Sequence, residues 1–298
     1  MNNNRKPKIS FVIIVLNGMP FIEYAIKAIY DFAHEIIIIE GAVENCLFAA
    51  GCNGSSKDGT VEMIKSFPDT KGIMRLIQGT WNEKVDMHNK ALEYVTGNYV
   101  WLIDSDEIYK AHDVSKVVKL LEHDTTITQI NFIGDNFWKG FDYIFVAPRF
   151  FETSAHFRRV FKFEKGAQFT SHRPPKMTYA NTEVTTEEIH LVNGYTTRKM
   201  GIIPYHYSYV LNEQVKQKVE LYKRYGWGKS WGIDLDEWYQ ECFMKWTPEN
   251  REIIERNHRV WVGSEESYTK PFNDTHPEVM TEYIRHFNMY HKVSCDVI

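Results

Sequence analysis

"YVWLIDSDEIY", residues 99–109, sets an apolar run directly against three acids, Asp104, Asp106 and Glu107. A buried carboxylate without a partner is costly, so a sheet that ends in three of them needs a reason. Asp104 and Asp106 are two residues apart, and extended backbone sends both side chains to the same side. Carboxylates held close raise one another's proton affinity, and a divalent cation relieves that repulsion. Mn2+ and Mg2+ take oxygen ligands, and Mg2+ commonly uses one or two carboxylates plus substrate phosphates. Asp-x-Asp after an apolar strand therefore points to a metal–diphosphate site, although a solvated acidic loop has the same short pattern.

Working upstream, the chain alternates strand and helix. Ile9–Leu16 is a continuous apolar run, as in a strand covered on both faces. Pro20 suits a first helical turn, and Phe21, Ile22, Ala25, Ile26 and Ile29 follow at helical spacing. "EIIIIE" (35–40) predicts a second strand, 41–52 a loop, and "NGSSKDGT" (53–60) a turn before a helix over 61–67. A strand over 73–78 and a helix over 85–96, stopped by Gly97, lead back to the quoted stretch. This order predicts an α/β fold with a mostly parallel sheet wound by helices.

Downstream, a helix over 114–122 gives way to strands at 128–133, 143–147, 157–163 and 202–210. "SHRPPKM" (171–177) reads as a loop because of its tandem prolines. Val215, Val219 and Tyr222 mark an amphipathic helix over 212–225, and the remainder reads as aromatic-rich and helical.

The 298 residues carry a net charge of −4 with no long basic tract, which argues against a nucleic-acid partner. "FVIIVL" is too short for a signal core or a membrane span, and nothing else approaches one. Cys46, Cys52, Cys242 and Cys295 form no Cys-x-x-Cys pair, so they read as reduced thiols in a cytoplasmic protein; a Cys46–Cys52 disulfide is the alternative. Peripheral contact with a membrane surface stays open.

The order of "ISFVIIVLN" (9–17), "IIIIE" (36–40), "NGSSKDGT" (53–60) and "HNKALEYVTGNYVWLIDSDE" (88–107) resembles glycosyltransferase family 2, whose nucleotide-binding half has the GT-A fold. The resemblance covers roughly the first 110 residues, and extends more weakly through "RRVFKF" (158–163), "YHYSYV" (205–210) and "NDTHPEV" (273–279). It implies a GT-A domain over 1–211, with a nucleotide-sugar half (1–110) and an acceptor half (111–211). Residues 212–298 would then form a mainly helical extension that covers the acceptor side or makes a homo-oligomer contact.

The resemblance also implies a reaction: transfer of a sugar, with inversion, from a nucleoside diphosphate donor, UDP-linked, to an acceptor that is a glycan, a lipid-linked glycan, a protein or a small molecule. Asp106 would ligate Mn2+ or Mg2+, Asp104 would hold the donor ribose or a metal-bound water, and Ser105 lies between them. His206 would be a third metal ligand. Asn17 and Glu40, at strand ends, together with Lys84 and Asn89, fall where family members recognise base and ribose. The family usually has Asp where Glu40 stands. Asp58 falls at a possible base contact, though Asp in a turn readily binds its own backbone. Gly41–Cys52 is longer than the family pattern at that point, and Asn17 could equally cap a helix.

An inverting transferase needs a general base. Family members often keep it in a Glu-Asp motif, and no Glu-Asp dipeptide occurs in this chain. The candidates are Asp135, which closes an apolar strand beside Trp138, then Glu187, Glu188 and His172. Trp138 is a possible sugar platform but reads first as core. Of Arg158, Arg159 and Arg173, which could hold diphosphate, the adjacent pair points to opposite faces and would supply at most one. Other readings are a haloacid-dehalogenase-type phosphatase, a sugar nucleotidyltransferase, or a non-catalytic nucleotide-sugar or glycan-binding module.

Overall fold

The computed structural model describes residues 6–148 and 157–293. Cys295 lies outside them. The first half alternates β1 (Ile9–Val15), α1 (Ile22–Ile29), β2 (Glu35–Glu40), α2 (Thr60–Ser66), β3 (Met74–Gln78), α3 (Lys84–Leu92) and β4 (Tyr99–Asp104). β5 (Glu107–Ile108), α4 (Ala111–His123), β6 (Gln129–Phe132), β7 (Asp135–Trp138), β8 (Tyr143–Val146) and β9 (Phe157–Lys162) follow. Then come β10 (Gln168–His172), β11 (Pro175–Thr178), β12 (Leu191–Val192), β13 (Tyr205–Tyr209) and β14 (Tyr268–Pro271).

Seven strands form one sheet in the order β12-β6-β9-β4-β1-β2-β3. Only β9 runs antiparallel to its neighbours; the other pairings are parallel. The α/β fold with a mostly parallel, helix-wound sheet is thus present. Its parallel central strands β1, β2 and β4 are mainly apolar because both faces of the sheet are covered. Phe11, Ile13 and Val15 of β1 pack with α1 and α4, while Val12 and Ile14 pack against Met87 and Ala91 of α3. Truncating such a buried isoleucine to alanine typically costs about 2–5 kcal/mol.

The quoted stretch is where the chain changes sheets. β4 ends at Asp104, a turn carries Ser105 and Asp106, and β5 opens a second sheet of order β14-β8-β7-β13-β5. β5 pairs antiparallel with β13, Glu107 opposite His206, and Tyr207 N donates to Asp106 O at 2.8 Å. An aromatic layer from the C-terminal third covers this sheet, with Trp238, Phe243 and Trp246 packed on Trp138.

Several local expectations need correction. The 41–52 segment contains a 3-10 helix, Glu44–Ala49, and is not wholly loop. Residues 171–177 lie in a β10–β11 hairpin: Pro174 occupies the turn and Pro175 opens β11, where no inner ladder donor is needed. Asp135 starts a strand instead of ending one. Pro20 sits in a turn before α1, whose N-cap is Phe21, so Asn17 is no helix cap either. α3 ends at Leu92, short of Gly97. Gly97 serves a close approach: a Cβ there would meet Lys8 O at 2.4 Å. The C-terminal third is mainly helical, but β14 returns to pair with β8.

Candidate functional site

A cavity of about 790 Å3 opens at the carboxyl ends of β1 and β4. It is walled by the first turn of α3, the β10–β11 hairpin, the 3-10 helix and the Asn212–Arg224 helix. In open α/β sheets this is where ligands bind. Asp104, Ser105, Asp106 and His206 all reach it.

The three acids are each neutralised differently. Glu107 is fully buried and takes Arg159 Nε at 2.9 Å and Nη2 at 2.6 Å, with the Tyr109 hydroxyl also donating to it. Burial lifts the Glu107 carboxyl above its ordinary range; Arg159 opposes the lift and Asp104 adds to it. Asp104 Oδ2 accepts from the same Arg159 Nη2 at 2.5 Å. Asp104 sits deep, yet 37% of its side chain remains open on the cavity. Burial would raise its affinity for a proton, but the Arg159 guanidinium above all outweighs this and holds the carboxyl well below the usual range.

Asp106 faces His206, with Oδ1 3.3 Å from Nε2, and its Oδ2 accepts from Gln214 Nε2 at 3.0 Å. Burial pushes the Asp106 carboxyl up, and His206 more than reverses that. His206 Nδ1 lies 2.8 Å from Asn136 Oδ1 and must donate to it, since an amide oxygen only accepts. The Asn136 contact thus holds the ring with Nε2 turned toward the Asp106 carboxylate.

The expected triad of metal ligands is only half assembled. Among the described residues no three His, Cys, Asp or Glu side chains converge as a ready-made metal site. Asp106 and His206 converge, while Asp104 is turned to Arg159. This donor set still fits a divalent ion, because a diphosphate and water can complete the shell around one or two protein ligands.

Cations line the facing wall: Lys84, Arg173 and Lys218. Burial, reinforced by the Arg173 charge, lowers the Lys84 ammonium to about 8. Arg173 also lies over the Trp227 ring, 5.2 Å from its centroid.

Residues 50–175 match the model of Glycosyl transferase family 2. The matched stretch, which resembles that family, takes in α2, β3, α3, β4 and the turn with Asp104 and Asp106. The SPbeta prophage-derived glycosyltransferase SunS of Bacillus subtilis (strain 168) is 28% identical over 116 residues, 38% of this chain and 24% of SunS. The chain thus spans about a quarter of the length of the curated relatives it matches. Similar solved structures include the mannosyltransferase PcManGT from Pyrobaculum calidifontis in complex with GDP-Man and Mn2+, 14% identical over 87% of this chain and 70% of that one, TM-score 0.45. A TarS fragment from S. aureus in complex with UDP-GlcNAc is 12% identical over 84% of this chain and 79% of that one, TM-score 0.45.

Several polar residues expected to meet the donor are already engaged. Glu40 is fully buried outside the cavity lining, accepting from Ser55 Oγ (2.8 Å), Ser56 N (2.7 Å) and Gln78 Nε2 (3.0 Å). Asn17, at φ 54°, lines the cavity but donates to Ala49 O and accepts from Lys57 N. Together they tie the strand ends to the long 41–58 segment. Asp58 takes Thr60 N and Oγ1 and also Met19 N, the turn role that its residue type favours. Asn89 clasps both backbone polar atoms of Phe169 and holds β10.

The base candidates scatter. Asp135 is paired with Arg198 at 2.9 Å, Glu187 with Arg158 at 2.5 Å, and Glu188 closes a capping box with Thr185; none of the three lines the cavity. His172 does, with Nδ1 2.9 Å from Nε2 of the buried His88. Burial holds His172 well below its ordinary range and lowers His88 to about 3, so both rings stay neutral. Trp138 is core, 1% exposed. Cys46, Cys52 and Cys242 are free thiols, and Cys46 lines the cavity.

The sequence reading missed the face of the Asn212–Arg224 helix that carries Glu213, Gln214, Gln217 and Lys218 into the cavity. The signal was there: the polar residues at 214, 217 and 218 share a face, but a solvated face has the same pattern. No helix among the described residues is long and apolar enough to cross a membrane.

Proposed function

We propose that the protein is a metal-dependent glycosyltransferase that moves a sugar, with inversion, from a UDP-linked donor to a glycan, lipid-linked or protein acceptor. The observation that carries this reading is the Asp106–His206 pair, aimed at one another at 3.3 Å on the cavity wall beside Asp104. Mn2+ or Mg2+ would be held by Asp106 and His206, with Asp104 toward the ribose or a bound water. When bound, the ion would neutralise charge on the departing diphosphate.

The chain's own groups share that work. Lys84, Arg173 and Lys218 face the diphosphate position and stabilise the charge that develops there. Gln214 fixes one Asp106 oxygen, and Asn136 fixes the His206 ring. Arg159 neutralises Asp104 and Glu107 so that the turn stays rigid before any ligand arrives. In this division residues 1–110 hold the donor, 111–211 the acceptor, and 212–298 cover the acceptor side.

The test is a thermal-shift screen of UDP, GDP and their sugars with and without Mn2+. A Mn2+-dependent rise with UDP or a UDP-sugar supports the reading, since a ligand that binds only the folded state stabilises it, and a rise with GDP alone overturns the UDP assignment. No rise with any of them sinks it.

A further inference from the structure

The proposed transfer needs a group that removes the acceptor's proton, and among the described residues four carboxylates line the cavity: Asp58, Asp104, Asp106 and Glu213. Three are committed. Asp58 holds the start of α2 and the Met19 amide. Asp104 is ion-paired with Arg159. Asp106 is shared between His206 and Gln214. Glu213 makes no hydrogen bond or ion pair among the described residues and is exposed at the cavity wall. We propose that Glu213 is the general base of the transfer, an assignment that rests on the glycosyltransferase reading above.

Position supports this. Glu213 lies in the first turn of the 13-residue Asn212–Arg224 helix, next to Gln214, whose side chain touches Asp106. The helix is therefore pinned to the turn that would hold the donor, and Glu213 stands one residue from that pin. The two cavity histidines are engaged, His172 with His88 and His206 with Asn136 and Asp106.

The step balances simply. The acceptor oxygen forms a bond to the anomeric carbon, and the bond from that carbon to the diphosphate oxygen breaks. The electron pair leaves on the diphosphate, and the acceptor's proton passes to the Glu213 carboxylate. Water can stand in for the acceptor in the same step.

The experiment measures UDP release from UDP-glucose and UDP-N-acetylglucosamine with Mn2+ and water as acceptor, beside UDP binding by calorimetry. Glu213→Gln should release UDP about 100-fold more slowly or worse, the scale of general-base catalysis, with UDP affinity and donor KM within twofold of the parent. Formate should restore part of the rate to Glu213→Ala, which a merely structural role would not allow. Glu220→Gln, on the same helix but paired with Arg224, should match the parent. A Glu213→Gln rate within threefold of the parent, or loss of UDP binding together with rate, overturns the assignment. A parent protein that neither binds UDP with Mn2+ nor releases it overturns the glycosyltransferase reading, and Glu213's role with it.

Discussion

Arg159 and Glu107 meet in the interior through three charged contacts, Nε at 3.1 Å from Oε1 and 2.9 Å from Oε2, and Nη2 at 2.6 Å from Oε2. Glu107 has no exposure to solvent, and Arg159 is 7% exposed. The pair anchors the turn between the two sheets, because the same guanidinium also holds Asp104. Arg159→Met leaves Glu107 buried without its partner and should cost about 3–5 kcal/mol. Urea denaturation reads this directly. Pairing it with Glu107→Leu should recover most of the loss, since an apolar pair of similar volume needs no neutralising.

Asp106→Ala and His206→Ala should each abolish the Mn2+-dependent part of UDP binding. At UDP concentrations near 100 times Kd the parent gains about 2.7 kcal/mol from a saturating ligand. Melting curves with UDP, with and without Mn2+, would show this gain in the parent alone. Variants that keep it would move the cation away from this pair.

Lys84 links donor binding to pH. Its ammonium is lowered to about 8 by burial and by Arg173. It is charged at pH 7 and loses that charge as pH climbs through 8, so UDP affinity should weaken between pH 7 and 9. In Lys84→Met, affinity should start lower and stay flat across the same range, as calorimetry would report.

His88 and His172 act on stability in the acid range. His88 is lowered to about 3 by burial, against an ordinary value of 6.5. Between those values the unfolded chain binds the proton and the folded one does not. Stability contributed by the neutral ring is therefore complete above pH 6.5 and falls as pH drops toward 3, by about 1.4 kcal/mol per pH unit for each proton. His88 Nδ1 is also buried without a hydrogen-bond partner. His88→Leu should flatten the loss between pH 6 and 4 by up to one proton's worth, measured from urea midpoints.

The parallel half was legible because its central strands must be apolar on both faces. Ile9–Val15 and Ile36–Ile39 announce that burial without any knowledge of their neighbours. The acids at 104 and 106 were legible for the opposite reason, as charge placed where burial was expected. What stayed hidden depends on pairing across the chain. Arg159 reaches the acids only because β9 pairs with β4, and nothing near residue 159 signals it. Glu40 and Asn17 carry the right chemistry for a donor, but the long segment after β2 folds back and consumes both. Asp135, Glu187 and Glu188 could not be told from cavity residues until the fold paired them elsewhere, Asp135 with Arg198 and Glu187 with Arg158. Glu213 was screened by its own helix, whose apolar positions 215, 219 and 222 mark the inner face and leave the rest looking merely wet.

The β5–β13 pairing sets Glu107 opposite His206 with backbone alone, and Tyr207 N reaches back to Asp106. Two very short strands thus work as a clasp. Everything the chain threads between its jaws can lengthen, shorten or change its own packing while carboxylate and imidazole keep their spacing. The Asp106–His206 corner is in this sense insulated from the lengths of the loops that run between β5 and β13.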